Sequence, residues 1–242
     1  MELVEFVLLT LTSFVGWCAL YRALCLLQPH KSDEWNSRIV VIVHACTILV
    51  MASTFGFFFN PWPFTHPGGK SNLYEISTMV VCNGYFLYDF IRSILYDTKH
   101  NKAMVVHHLV CILFTSTSLL SGLSGTEIGF SLFLAELSNP MLQVRWLMRN
   151  AGITGGIAYE MNQVLFLVTF AVIRVGIGSY WIYHYLLHPL PHPFFKLGGV
   201  LLYAVSIIFM AQIIVVVYHK ISHAGRKGKV ENFPEALDKT KL

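Results

Sequence analysis

LGGVLLYAVSIIFMAQIIVVVYH, residues 197–219, carries no aspartate, glutamate, lysine or arginine over 23 residues. A helix rises 1.5 Å per residue, and about 20 apolar residues cross the roughly 30 Å hydrocarbon core of a bilayer. This stretch therefore reads as a membrane span. Moving outward from it, six more runs qualify, at 4–27, 38–59, 73–95, 103–121, 127–148 and 158–187. The runs are continuous rather than alternating, which favours helices over a barrel. The expected fold is all-α: a polytopic membrane helical bundle of about seven transmembrane helices. The sixth run is long enough to tilt or to extend beyond the hydrocarbon.

Composition agrees. The chain is 55% hydrophobic and 12% charged, with a mean hydropathy of +0.59. A soluble domain usually carries about 25% charge. The net charge of +4 sits in short loops and a tail rather than on one face, so nucleic acid is not an expected partner. The five cysteines, Cys18, Cys25, Cys46, Cys82 and Cys111, all lie in apolar runs. Their spacing fits neither a disulfide framework nor a zinc pattern, and they read as small buried hydrophobes. No metal is expected. The acidic start Met1-Glu2-Leu3-Val4-Glu5 and the long run behind it read as a retained span rather than a cleaved signal.

Connections are short and marked by turn residues, as at Gln28–Glu34, Asn60–Gly69 and His188–Pro193. Residues 1–37 comprise the first span and a loop, 38–219 the main membrane domain, and 220–242 a disordered polar tail. Basic residues mark the cytosolic side of a membrane. Assigned to alternate connections, 14 of them fall on one side: Arg22, Lys31, Arg38, Arg92, Lys99, Lys102, Arg145, Arg149, Lys220, Arg226, Lys227, Lys229, Lys239 and Lys241. The other side holds Lys70 and Lys196, and Arg174 lies within a span. This split places the C-terminus in the cytosol and the N-terminus in the lumen or outside.

Ionisable groups at membrane depth cost about 2.5–3.5 kcal/mol each at a helix centre and persist where they face a partner or a cavity. The spans keep His44, Asp89, His107, His108, Glu136 and Arg174. From depth alone, Glu136 and Arg174 are expected to neutralise each other near the midplane. Asp89, His44 and the histidine pair are expected to form a second cluster in the cytosolic half. Interhelical fastening is the plain alternative for all of them. Adjacent helical residues point about 100° apart, so His107 and His108 together call for a polar environment over a wide arc. His108, Cys111 and Thr115 share a helical face, but nothing else marks an activated thiol. His100, His107 and His108 are too few for a membrane di-iron centre.

The segments Pro61–Gly68, Ser124–Glu127, His107–Val110, Glu136–Trp146, Arg174–Gly178 and Gly198–Ser206 together resemble the TLC family, which includes the ceramide synthases. The resemblance implies helices around a central cavity that admits long acyl chains, with membrane lipids and acyl chains as partners. In ceramide synthases a His-His pair followed by an acidic motif joins a sphingoid base to an acyl-CoA. His107 and His108 match the pair. The acidic motif departs: its histidine falls on Ala135, its first aspartate on Glu136 and its second on Asn139.

The expected function is thus a membrane protein that binds lipid or acyl chains and influences membrane lipid composition. The alternative is an acyltransferase, with acyl-CoA as co-substrate and His107, His108, Asp89 and Glu136 as candidate catalytic residues. His44, Asn139 and Arg174 are then polar groups of the lipid cavity. A transporter fits less well, since the odd span number and the lack of repeats oppose it. No cofactor is expected otherwise, and a homodimer is compatible with the sequence.

The charge split makes a direct prediction. Tags at the two ends will lie on opposite faces of the membrane, the C-terminal one cytosolic, in a protease-protection assay. Protection of both tags, or exposure of both, rules out an odd number of spans.

Overall fold

The computed structural model describes residues 1–58, 62–97 and 102–224. Among these, structure is helical, with a lone bridge between Lys70 and Leu123 in place of a sheet. The helices are α1 (Leu3–Leu27), α2 (Asp33–Phe58), α3 (Leu73–Asp97), α4 (Lys102–Ser121), α5 (Gly125–Glu136), α6 (Asn139–Asn150), α7 (Ile157–Thr169), a π-helical segment (Phe170–Ile177), α8 (Gly178–Leu187) and α9 (Pro193–Ala224). Taking α5–α6 as one rod and α7–α8 with the π segment as another, the described residues form seven rods. The expected connection at Asn60 and Pro61, the Lys99–His100 link and the tail from residue 225 on lie outside the described residues. α9 runs to Ala224, slightly into the stretch read as tail.

Five rods are long and apolar enough to cross a membrane: Leu3–Leu27, Asp33–Thr54, Met104–Ser121, Ile157–Leu187 and Pro193–His219. The other two run beside them and are more polar. α3 carries Glu75, Asn83, Asp89 and Arg92. The fifth run, expected to be continuous over 127–148, is broken. α5 and α6 have 12 residues each, about 18 Å apiece. The break falls at Leu137 and Ser138, with Pro140 in the first turn of α6. Proline has no N–H to give to a preceding turn, so it suits a helix start better than a helix interior. α6 is amphipathic, with Gln143 buried and Arg149 in its last turn.

α1, α3 and α4 pack into one side of the bundle through small and polar residues, as expected where lipid supplies no hydrophobic drive between helices. Ser13 Oγ and Trp17 Nε1 both donate to the Val81 carbonyl, each at 3.1 Å. Asn83 Nδ2 reaches Thr10 Oγ1 at 3.4 Å, and its Oδ1 accepts from Thr115 Oγ1 at 2.8 Å. One buried amide thereby ties three helices. Trp17, Val40, Ile48, Cys82, Tyr85, Phe86 and Tyr88 fill the space around them.

The end opposite the α2 N-terminus is closed by a compact plug. Ser124 N–H donates to the Gly69 carbonyl and Ser71 N–H to that of Gly122, at 2.9 and 2.8 Å. Glu127 Oε2 accepts from Gly68 N–H at 2.9 Å, and Thr126 Oγ1 donates to Glu75 Oε1 at 2.6 Å. Gly68 has a φ of +83°, and a Cβ there would lie 2.7 Å from the Pro191 nitrogen. The outer faces of α1 and α9 remain apolar and exposed, as at Leu8, Val15, Leu201 and Ile208, the pattern of a lipid-facing surface.

The α1–α3 contact turns on Gly84, where an added Cβ would lie 2.7 Å from the Phe14 backbone nitrogen. Gly84→Leu will push these helices apart and lower stability by about 1–3 kcal/mol. Gly129→Leu, with nothing within 4 Å of its Cβ, is the control. Thermal melts in one detergent should show the larger loss for Gly84→Leu; equal midpoints would refute the contact.

Candidate functional site

A cavity of about 480 Å³ runs through the bundle between α2, α3, α4, α5, α6, the α7–α8 rod and α9. Its mouth lies at the starts of α2, α4 and α7 and the end of α3, where Glu34, Arg38, Arg92, Arg145 and Glu160 line it. This is the face on which the sequence concentrates its basic residues. The deeper walls are Phe114, Trp181 and Tyr185, with Leu132, Ile182 and Leu202 between them, while Phe166 and Phe170 line the α7–α8 rod between the mouth and Arg174. At middle depth stand Asp89, His107, His108, Glu136 and Arg174.

His108 faces α3. Its Nε2 lies 3.2 Å from Asp89 Oδ2. A carboxylate only accepts, so Nε2 bears the proton and Nδ1 is the basic nitrogen. Nδ1 is buried and has no hydrogen-bond partner among the described residues. His107 turns away and is only half-buried. The two rings stand 5.6 Å apart and inclined at 54°. His107 Nε2 approaches Cys111 Sγ, one turn on, at 3.6 Å. Cys111 thus meets His107 rather than His108, the face-sharing residue, whose ring is engaged by Asp89 on α3.

Glu136 ends α5 and points into the same space. Its Oε2 accepts from Asn139 Nδ2 at 2.9 Å. From there a chain of bonds leads to the mouth. Gln143 Nε2 donates to Asn139 Oδ1 at 3.0 Å, and Arg38 Nη1 donates to Gln143 Oε1 at 2.8 Å. Arg38 Nε and Arg92 Nη2 then hold the two oxygens of Glu34, at 2.8 and 3.0 Å. Each amide is oriented by its neighbours: the cation takes the Gln143 oxygen, which turns the NH₂ groups inward toward Glu136.

The expected Glu136–Arg174 neutralisation is indirect, and His44 stands apart from the cavity. Glu136 and Arg174 line one cavity but form no direct ion pair; the ion pairs among the described residues are Arg38–Glu34, Arg92–Glu34, His108–Asp89 and a long His44–Glu136 approach. Glu136 takes its hydrogen bond from the start of α6, where Asn139 stands three residues on, a neighbouring position on helical backbone. His44 does not line the cavity. It is fully buried behind Tyr85, stacked on that ring at 3.5 Å with Trp17 edge-on at 5.5 Å. Its Nδ1 is 4.0 Å from Glu136 Oε1, beyond hydrogen-bond length.

Glu34, Arg38, Arg92 and Gln143 were absent from the candidates drawn from the sequence. Glu34 and Arg38 are spaced i, i+4, a legible pair. Nothing local ties them to Arg92 or Gln143 on other helices.

A TLC domain model matches residues 3–219, which takes in α1 as well as the six later rods. Among known proteins, the chain is similar to TLC domain-containing protein 4-B of Danio rerio. The two are 26% identical over 164 residues, 64% of this chain and 59% of that protein. It is also similar to TLC domain-containing protein 2 of Danio rerio, 25% identical over 146 residues, 59% of this chain and 58% of that protein. The chain thus spans less than two thirds of the length of either relative.

Asn139→Leu removes the donor to Glu136 and leaves Gln143 facing an alkyl group. Leaving buried polar groups unsatisfied costs about 1–3 kcal/mol. The variant will melt below wild type, and Glu136→Gln in the same background will recover part of the loss. No recovery would mean that Glu136 does not depend on the amide.

Proposed function

The chain belongs to the TLC-domain family, and on that premise we propose that it binds a lipid or a free acyl chain in the central cavity and thereby influences membrane lipid composition. The observation that carries this reading is the cavity's division: a charged mouth, a polar middle and aromatic walls beyond. Ligand pockets are concave and mostly apolar, with a few convergent polar groups, and occupy roughly 300–1,000 Å³. An amphiphile fits that gradient, head at middle depth and chain along the aromatic walls. In the orientation the basic residues support, the mouth opens to the cytosol.

A second reading rests on His108 and Asp89. An imidazole whose Nε2 is held by a carboxylate and whose Nδ1 is unpartnered has the form of a general base. In that reading Nδ1 takes the proton of a lipid amine or alcohol. The nucleophile bonds to the acyl carbonyl of a thioester, the C–S bond breaks, and the thiol leaves with the proton. Against it stand Ala135 and Asn139, where ceramide synthases carry a histidine and an aspartate.

Native mass spectrometry of the purified chain tests both. Wild type will carry a co-purifying acyl-chain lipid. Ala135→Trp, which fills the cavity, will lose it several-fold while still melting cooperatively. Retention of wild-type lipid would remove the cavity as the site. The double alanine variant at His107 and His108 will change the bound lipid and lower the melting point modestly. Loss of acyl-CoA turnover at unchanged lipid content would favour the transferase. Wild-type stability and lipid content would remove the pair from the site.

A further inference from the structure

Between α7 and α8 the rod is a π-helix over Phe170–Ile177, and the Gly178 N–H reaches back five residues to the Ile173 carbonyl. The consequence is one of phase. In an α-helix each residue turns about 100°, so positions four apart drift by about 40° per step. Over three steps Gly178 would have rotated about 120° from Phe166. Wider turns suppress that drift, and Phe166, Phe170, Arg174 and Gly178 all line the cavity. Such segments are rare and are frequent at functional sites.

What the widened turn delivers into the cavity is a guanidinium. Arginine is always charged. Among the described residues no hydrogen-bond acceptor serves Arg174, and its Nε is buried without a partner. Its close contact is the face of the Phe170 ring, 5.2 Å from the central carbon to the ring centre. Glu136 attracts it across the cavity but takes its hydrogen bond from Asn139 and makes no direct pair with Arg174, so the guanidinium N–H groups stay without an acceptor among the described residues. A charge taken out of water needs a partner and hydrogen bonds to its free N–H groups. The protein leaves that partner's place open inside a cavity whose adjoining walls are apolar.

We infer that Arg174 receives the acidic group of the ligand, a carboxylate or a phosphate, carried on a single acyl chain. This deepens, and rests on, the reading of the cavity as a lipid site. The planar fork of arginine matches such an oxyanion with two parallel N–H···O bonds. A cavity of about 480 Å³ lies within the range of small-ligand pockets and suits a single long chain. The chain lies past Trp181 toward Tyr185, which makes the preferred ligand an acidic single-chain amphiphile rather than a neutral one.

Three probes of equal chain length test this on the full chain in nanodiscs: oleic acid, 1-oleoyl lysophosphatidic acid and oleyl alcohol. Wild type will bind at least one acidic probe about tenfold to a hundredfold more tightly than the alcohol, the range a charge-assisted hydrogen bond carries. Whether the carboxylate or the phosphate binds tighter names the source of the anion, and either supports the assignment. Arg174→Gln will abolish the difference and leave alcohol binding unchanged. Arg174→Lys keeps a charge but not the fork and will retain part of the preference; if the glutamine variant does not fold, an unreduced preference in Arg174→Lys overturns the assignment. So does a preference surviving in Arg174→Gln, or equal binding of all three probes by wild type, and both outcomes leave the lipid site standing. Failure of wild type to bind any probe overturns the lipid reading and this assignment with it.

Discussion

Hydrocarbon offers nothing to a charge or to an unpaired hydrogen-bonding group, so each must find its partner inside the bundle. That constraint decides where the helices of this protein meet. On one side, Asn83 joins α1, α3 and α4 through Thr10 and Thr115, and two side chains of α1 converge on one carbonyl of α3. The result is a tightly closed half with small residues at the contacts. On the other side, the polar groups are too many and too widely spread to close on one another. α5, α6 and the α7–α8 rod stand back from them, and the cavity is the space that remains.

The seven rods were legible because hydrophobic runs of 20 residues have few meanings. The break within the fifth rod was less so. Pro140 is visible in the sequence, yet proline inside a membrane helix is compatible with a kink as well as with a new start. The π segment left no mark in FAVIRVGI that distinguishes it from an α-turn. The four-residue spacing of Phe166, Phe170, Arg174 and Gly178 is the trace it leaves, and that trace acquires meaning only when all four are known to face one cavity.

The polar residues show where sequence reasoning stops. Each of the six ionisable groups at membrane depth stood out, because each is expensive. Their pairing did not, because depth orders residues along the membrane normal and says nothing about rotation around a helix. His44 and Glu136 come near each other, His108 takes Asp89, and Arg174 takes neither acid directly. The mouth residues Arg38, Arg92 and Gln143 connect through Glu34 across three helices, Asn139 extends the link to Glu136 on a fourth, and no local spacing carries such a link.

The chemistry at Asn139 bears on what the cavity is for. Where the ceramide-synthase pattern carries a second aspartate, an amide stands here. Two carboxylates three residues apart on neighbouring helical turns repel, and one of them holds a proton that it can exchange with a reacting group. An amide cannot ionise. It donates to Glu136 and accepts from Gln143, so it converts an acid pair into a fixed link between Glu136 and Arg38. A link of that kind orients a carboxylate and leaves it little freedom to move protons. Among the described residues, the His108–Asp89 contact keeps a ring nitrogen free toward the cavity. The rest of the polar middle is built to hold charges in place, which is the requirement of a site that recognises a headgroup.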